Sequence, residues 1–262
     1  PHENIGPGKS RNIGMEHSNG DYMIFIDSDT IIPKEWLREI DNALQNNKID
    51  AFGGPDKSSD DFPDKVKAID YSMTSFIGTG GMRGKKGKSL AKYFPRSFNM
   101  GISREVYEKI GGMSELRHGQ DIEYSNRIHR AGFNVQFIPD AFVYHLRRTN
   151  FTKFFKQVFN WGVARINLWK IDNNMLEPLH TAPAIGVIFA VLSTLFIPIS
   201  TLPFLTISFF SVLVLFIGLI QSYGRYHSVK VSILSIWALI IQINGYGLGF
   251  IYAFIRSIIS KD

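Results

Sequence analysis

The stretch Tyr22-Met23-Ile24-Phe25-Ile26-Asp27-Ser28-Asp29-Thr30 decides the fold. Five apolar or aromatic residues run together behind the turn pair Asn19-Gly20. That pattern predicts a strand buried on both faces, in the middle of a parallel or mixed sheet. The run ends on two carboxylates one residue apart. Side chains alternate along an extended backbone, so Asp27 and Asp29 are expected on one side of the chain. In open α/β sheets, ligands collect at the carboxyl ends of strands. Two hard oxygen donors there suit Mg2+ or Mn2+, and such a metal usually carries a substrate phosphate. Read for structure alone, the same residues make a solvated turn at a strand end.

Around this strand the periodicities alternate. Residues Pro7 to Ser18 read as a short helix carrying Arg11 and Asn12. Pro33 starts a second helix whose apolar face is Trp36, Leu37, Ile40 and Leu44, and Asp50 to Gly54 is a short strand. Phe62, Val66, Ile69, Met73 and Phe76 recur at helical spacing, which predicts one amphipathic helix from Pro63 to Ile77. The glycine-rich basic segment from Gly78 to Lys88 cannot pack a core. It reads as a solvated surface loop, or as a lid or lipid-phosphate contact.

An extended segment from Phe94 to Ile102 follows. Ser103 then caps a helix that stops at Gly111-Gly112. His118-Gly119-Gln120-Asp121 precedes another helix, closed by Gly132, and strands at Val135 to Ile138 and Phe142 to His145 complete the α/β part. Asp121 thus falls at a helix N-terminus, where the macrodipole favours a negative charge. Taken alone, it reads as a cap before it reads as a base, and His145 alone reads as a structural histidine.

The chain has 262 residues, no cysteine and a formal net charge of +6. No disulfide framework is possible, and nothing argues for an oxidising compartment. A basic balance suits nucleic acid, an anionic membrane face or phosphorylated substrates. Its distribution selects the last two, because the charges lie mostly in the first two-thirds and the last third is nearly continuous apolar sequence. Phe151 to Lys170 interleaves Phe154, Phe155, Phe159, Trp161 and Trp169 with Lys153, Lys156 and Arg165, as a helix in a membrane interface would. Ala182 to Ile199, Pro203 to Gln221 and Val231 to Ile255 are long enough for two or three membrane crossings. The third run contains Asn244, Gly245, Gly247 and Gly249 and ends near Arg256 and Lys261, so it reads as a span, or as re-entrant or interfacial. The distribution of Lys and Arg puts the N-terminal domain in the cytoplasm and Ser200-Thr201 outside. The expectation is a multi-pass protein of the inner (cytoplasmic) membrane that contacts membrane lipids and binds no nucleic acid.

Several signals occur in one order: Gly8-Lys-Ser-Arg11-Asn12-Ile-Gly14, Asp27-Ser-Asp29, Asn99-Met-Gly-Ile-Ser-Arg-Glu105, Gly111-Gly112-Met113, Gly119-Gln-Asp121, Arg127, Gly132, Pro139 and Val143-Tyr-His145. From about Gly6 to Trp169 this resembles the family 2 glycosyltransferases, inverting enzymes of the GT-A fold, in the membrane-anchored branch that builds polysaccharides. The resemblance implies an α/β, Rossmann-related mixed sheet flanked by helices, followed by C-terminal transmembrane helices. Asp27 and Asp29 would be the Asp-x-Asp pair that joins Mn2+ or Mg2+ to the diphosphate of a nucleotide-sugar donor, and His145 would complete the metal site. Arg11 matches a basic position beside the nucleotide, with Asn12 taken as part of the same nucleotide-binding segment. Asp121 matches the acid that deprotonates a hydroxyl of a glycan or lipid-linked acceptor, although Gln120 stands where the family usually has Glu. Gln157-Val-Phe-Asn-Trp161 is not the Gln-x-x-Arg-Trp motif of the processive synthases, so single addition is expected.

The expected partition is 1–150 for the C-terminal part of the transferase domain, 151–180 for an interfacial helix region and 181–262 for membrane-inserted helices. The family's first strands belong upstream of a segment such as Gly6 to Gly14, and Pro1 is not an initiator. A fragment lacking its N-terminal part is therefore expected. Two other readings stand beside this one: a truncated non-catalytic membrane-tethered remnant, and a phosphotransferase of the haloacid dehalogenase type. The latter needs Thr or Val two residues after the second Asp, where this chain has Ile31.

Overall fold

In the computed structural model, which describes residues 5–57, 61–79, 93–145 and 150–259, strand β1 (Tyr22–Ile26) ends a sheet instead of centring it. Among the described residues it pairs on one side only, antiparallel to β5 (Asn99–Ser103), with Tyr22 opposite Ser103 and Ile26 opposite Asn99. Beyond β5 come β3 (Ala51–Gly53), antiparallel to it, and β6 (Val135–Phe137), parallel to β3. The sheet is mixed, as expected, but only Met23 of β1 is buried. The apolar run has another cause. Met23 and Phe25 reach one core while Tyr22, Ile24 and Ile26 reach the core on the opposite face, and both cores are apolar.

The first core is closed by α1 (Pro7–His17), α5 (Arg104–Ile110) and α6 (Gln120–Arg130), through Met15, Val106, Tyr124 and Ile128. The second is closed by α2 (Trp36–Asn46), through Trp36 and Ile40 packed on Phe52 and Val143. Leu37, expected on that apolar face, is exposed. Truncating a fully buried residue such as Ile102 to Ala would cost about 2–5 kcal/mol. A second, three-stranded sheet runs β2 (Thr30–Ile31), β7 (Val143–His145), β4 (Asp56–Lys57), with Thr30 opposite His145. All of this lies in one compact unit, Pro1–Ser59 with Gly84–Leu146.

The second unit, Asp60–Arg83 with Arg147–Asp262, contains the remaining helices. The helix expected from Pro63 to Ile77 is two, α3 (Asp64–Thr74) and α4 (Phe76–Thr79). Ser75 breaks it by leaving the helical conformation and accepting the Gly78 N–H on its hydroxyl. Apart from Gly78 and Thr79, the glycine-rich basic loop lies outside the described residues. α7 (Phe151–Ile171) buries Phe154, Val158, Gly162, Ile166 and Leu168 within the unit and leaves Lys153, Lys156 and Lys170 exposed.

α8 (Pro178–Leu195), α9 (Leu202–Tyr226) and α10 (Val229–Ile259) are each long and apolar enough to cross a membrane. The glycines that made the third run ambiguous sit inside one continuous helix, where they let α7 approach. A Cβ on Gly249 would strike the Phe159 backbone, and one on Gly162 would stand 2.6 Å from the Phe250 nitrogen. The corner between α9 and α10 is tied to α3. Arg225 reaches buried Asp70 at 3.0 Å and Thr74 at 2.8 Å, and Lys230 reaches Asp64 at 2.8 Å.

Candidate active site

Asp27-Ser28-Asp29-Thr30 is a closed turn. Both the amide and the hydroxyl of Thr30 donate to the Asp27 carbonyl, at 3.1 and 2.7 Å. The extended backbone expected through Asp29 therefore ends at Ile26, and the two carboxylates occupy the first and third positions of a turn. Asp and Ser favour those positions because their side chains satisfy turn backbone locally. One carboxylate oxygen of Asp27 accepts a 2.7 Å hydrogen bond from Arg11 Nη2 on α1. Arg11 is largely buried, and its Nη1 has no hydrogen-bond partner among the described residues.

Asn12, next along α1, has a different task. Its Oδ1 accepts the Met113 N–H at 2.8 Å and its Nδ2 donates to the Met113 carbonyl at 2.9 Å. Both ends of the amide are thus engaged with backbone. The same loop is held from α6, where Tyr124 donates to the Gly111 carbonyl at 2.9 Å and Arg127 donates to the carbonyls of Ile110 and Gly112, both at 2.7 Å. Arg127 is itself fixed by Glu123 at 2.7 Å. Ser114, the residue after the clamped Met113, has a buried hydroxyl without a partner among the described residues, matching the orphaned Arg11 nitrogen beside the other half of the clamp.

Asp121 is the second residue of α6. Gly119 enters the helix at φ 84°, a left-handed conformation that disfavours a Cβ. One helix face then follows an extended segment: Asp121 Oδ2 accepts the Ser97 N–H at 3.4 Å, Ser125 donates to the Pro95 carbonyl at 2.9 Å, and His129 Nε2 donates to the Tyr93 carbonyl at 2.7 Å. Steps of four on the helix meet steps of two on the extended chain. Two residues beyond Ser97 stands Asn99, which is opposite Ile26, the residue before Asp27. This register brings the Asp-x-Asp turn and the α6 N-terminus to the same end of the β1–β5 ladder.

Asn99 also fixes the neighbouring sheet. It is buried, accepts the Trp36 indole N–H at 3.1 Å and donates to the Ala141 carbonyl at 2.7 Å, just ahead of β7. β7 in turn sets the His145 backbone beside Thr30. The His145 side chain lies outside what the structure describes. Sequence reasoning quoted Asn99 and Arg127 only as parts of a pattern. The available signal for Asn99 was an amide at the start of a strand otherwise buried.

A divalent cation fits this donor set. Among the described residues no three His, Cys, Asp or Glu side chains converge as a metal site. The turn carries the Asp27 and Asp29 carboxylates, and a cation held by one or two carboxylates would take its other ligands from phosphate oxygens and water. The buried, partnerless Arg11 nitrogen beside Asp27 fits an anionic oxygen in the same place.

The fold and this arrangement define a GT-A-like glycosyltransferase domain followed by apolar helices. The family described as "Glycosyltransferase like family 2" matches residues 1–164, so the chain belongs to that family. The phosphotransferase reading gives way to this membership. The chain is 25% identical over 176 residues to "Glycosyltransferase AglE" of Haloferax volcanii, covering 67% of this chain and 55% of that protein. It is 24% identical over 168 residues to "Probable glycosyltransferase YdaM" of Bacillus subtilis, covering 61% of this chain and 38% of that one. The matches thus span about half or less of the length of these curated relatives. Among solved structures, the mannosyltransferase PcManGT from Pyrobaculum calidifontis, in complex with GDP-Man and Mn2+, shares the fold with a TM-score of 0.50 and 14% identity, covering 100% of this chain and 69% of that one.

Proposed function

We propose that this chain carries the metal and acceptor half of a transferase that moves a sugar from a nucleoside diphosphate to a hydroxyl with inversion. The observation that carries the reading is the register at Ile26 and Asn99. It sets the carboxylate pair of Asp27 and Asp29 and the lone carboxylate of Asp121 at one end of the same ladder. Glycosyl transfer needs two such centres, one to hold the departing diphosphate and one to take a proton.

In this reading Asp27 and Asp29 bind a divalent cation, Mn2+ or Mg2+, which when bound neutralises charge on the donor diphosphate. His145, beside Thr30 on the neighbouring strand, is proposed as a further ligand. Arg11 directs its free nitrogen to a phosphate oxygen, and Asn12 keeps Arg11 in place by holding the Met113 loop. Asp121 accepts the proton of the acceptor hydroxyl as that oxygen bonds to the anomeric carbon. The bond from that carbon to the diphosphate breaks on the opposite face, and the electron pair leaves with the diphosphate. The PcManGT complex with GDP-Man and Mn2+ supports a nucleotide-sugar donor and a divalent cation.

The acceptor is a glycan or lipid-linked hydroxyl in cell-surface polysaccharide synthesis, with one sugar added per encounter. The transferase part is 1–150, the interfacial part 151–180 and the membrane-inserted part 181–262, with α3 grouped with the latter two. The protein sits in the inner membrane with its transferase part in the cytoplasm. The test is transfer by the complete natural protein with a panel of nucleotide sugars, with Mn2+ and after EDTA. Metal-dependent formation of a product of inverted anomeric configuration is expected. Metal-independent transfer, or retention, would reject the reading.

A further inference from the structure

We propose that α10, although long enough to cross a bilayer, lies along the membrane surface across the open end of the α8–α9 hairpin, so that both of its ends remain on one side. Four observations within the second unit lead there.

First, among the described residues α8 meets α10 through its N-terminal half and α9 meets it through its last third. Pro183 and Val187, in the N-terminal half and at the middle of α8, meet Gly247, and Ala184 packs with Phe250 and Ala253. Gly218 and Ser222, in the last turns of α9, meet Leu239 and Ser235. From Leu202 to Ile217 no residue of α9 is buried. A third span antiparallel to α9 would cover that half as well. The two contact zones lie about 12–27 Å apart along α10 at 1.5 Å per residue. The hairpin legs and α10 therefore make a triangle, with α10 as its base.

Second, α10 runs beside α7 in the same direction. Gly245 meets Phe155 and Val158, Gly249 meets Phe159, and Trp169 lies 6.2 Å from Phe254 between ring centroids. α7 exposes Lys153 and Lys156 near its start and Lys170 near its end, and it is not among the described helices apolar enough to cross a membrane. A helix held against it over three turns shares its depth.

Third, the exposed large residues of α10 are Val229, Ile233, Trp237, Leu248, Tyr252, Phe254, Ile255, Ile258 and Ile259, which fall on one broad side of the helix. At 100° per residue these positions spread over about 160°, roughly half of the helix circumference. The opposite face is buried by protein and includes Ser232, Ser235 and Gln242. One apolar face with tryptophan and tyrosine, backed by polar packing, fits the acyl–headgroup boundary of a lipid leaflet. α8 and α9 also expose large apolar residues.

Fourth, charges stand near both ends, Arg225 and Lys230 at the start and Arg256 at the finish. A crossing would put one end on the side that cations avoid, whereas a surface helix leaves both where cations are favoured.

The chain contains no cysteine, so single-cysteine variants of the full chain report topology directly. In sealed, oriented vesicles of mixed anionic and zwitterionic lipid, Asn46→Cys, Ser200→Cys and Ser257→Cys are treated with a membrane-impermeant maleimide. Ser257→Cys is expected to label from the same side as Asn46→Cys, and Ser200→Cys from the other. Labelling of Ser257→Cys with Ser200→Cys would overturn the proposal, and so would labelling of all three from one side. Spin labels at Ile233, Leu248 and Ile255 give an independent readout. Equal depths are expected. A crossing would place Ile233 and Ile255 in opposite leaflets, about 33 Å apart along the helix, with Leu248 deeper than either. Neither readout depends on catalysis, so failure here would leave the proposed transfer reaction untouched.

Discussion

Arg11 Nη2 lies 2.7 Å from Asp27 Oδ1, so the first carboxylate of the Asp-x-Asp pair is held by a cation from α1 while the second is not held by that arginine. The two aspartates should therefore differ on mutation. Asp29→Asn removes a proposed metal donor and leaves the Arg11–Asp27 pair, so Mn2+-dependent affinity for the nucleotide should be lost while that ion pair's contribution to stability is kept. Asp27→Asn removes a donor and also strips the partner from a largely buried guanidinium, so affinity and stability should fall together. Calorimetric titration of nucleotide with and without Mn2+, alongside thermal melts, separates the cases. Unchanged metal-dependent affinity in Asp29→Asn would remove that residue from the site.

Asn12→Ala tests the clamp on the Met113 loop. Met113 is buried, and both of its backbone polar groups depend on the Asn12 amide. Leaving them without partners should cost about 1–3 kcal/mol, measured by denaturant unfolding. Donor affinity should fall mainly through misplacement of Arg11. A variant that keeps full stability and loses only affinity would make Asn12 a direct nucleotide ligand instead.

His118 gives the region near Asp121 a pH dependence. Burial, followed by the charge of Arg117, holds its imidazole below the ordinary value of 6.5. The unfolded chain takes up that proton first as pH falls, so the folded state loses stability below about pH 6.5 and keeps this contribution in full above it. The ring is partly exposed and water screens it, so the effect is small. Melting temperatures at pH 7.5 and 5.5 should differ more for wild type than for His118→Gln. An equal difference would show that His118 titrates alike in both states.

The helices and strands of the first unit follow from local pattern, and their stops are explicit. Ser103 accepts the Val106 N–H at 3.3 Å and Gly111 leaves α5 at φ 72°, as the sequence motifs imply. What local pattern did not reveal is the position of β1 at the sheet end. A run of apolar residues reads the same whether two neighbouring strands or two helical layers bury it. The Asp27–Thr30 turn was one of two readings for a related reason, since Asp and Ser fit both a strand end and a turn, and only the Thr30 hydrogen bonds decide. The role of Asn12 depends on a partner about a hundred residues away, which no local window contains. In the second unit the break at Ser75 was hidden by an apolar period that continues to Phe76, a residue the fold leaves exposed.

Asp121 has two possible employments, and one substitution distinguishes them. Its Oδ2 accepts the Ser97 N–H at 3.4 Å and its Oδ1 accepts the adjacent Ile122 N–H at 2.9 Å, so the carboxylate helps to start α6 and pins the segment leading into β5. The proposed reaction asks it also to take a proton. Asp121→Asn keeps the side-chain shape and one acceptor oxygen, so the Ser97 contact and the fold should persist. Basicity is lost, and loss of a general base typically lowers the rate about 10²- to 10⁴-fold. Donor affinity should hardly change, because the proposed metal-binding pair is elsewhere. Asp121→Ala removes both functions and should lower the melting temperature as well as the rate. Transfer rate, donor affinity and melting temperature are therefore measured on both variants of the complete natural protein. If Asp121→Asn transfers sugar at a near-normal rate, the residue is a cap alone. If it loses donor affinity as severely as Asp29→Asn, it belongs to the donor site, and the base must be sought elsewhere.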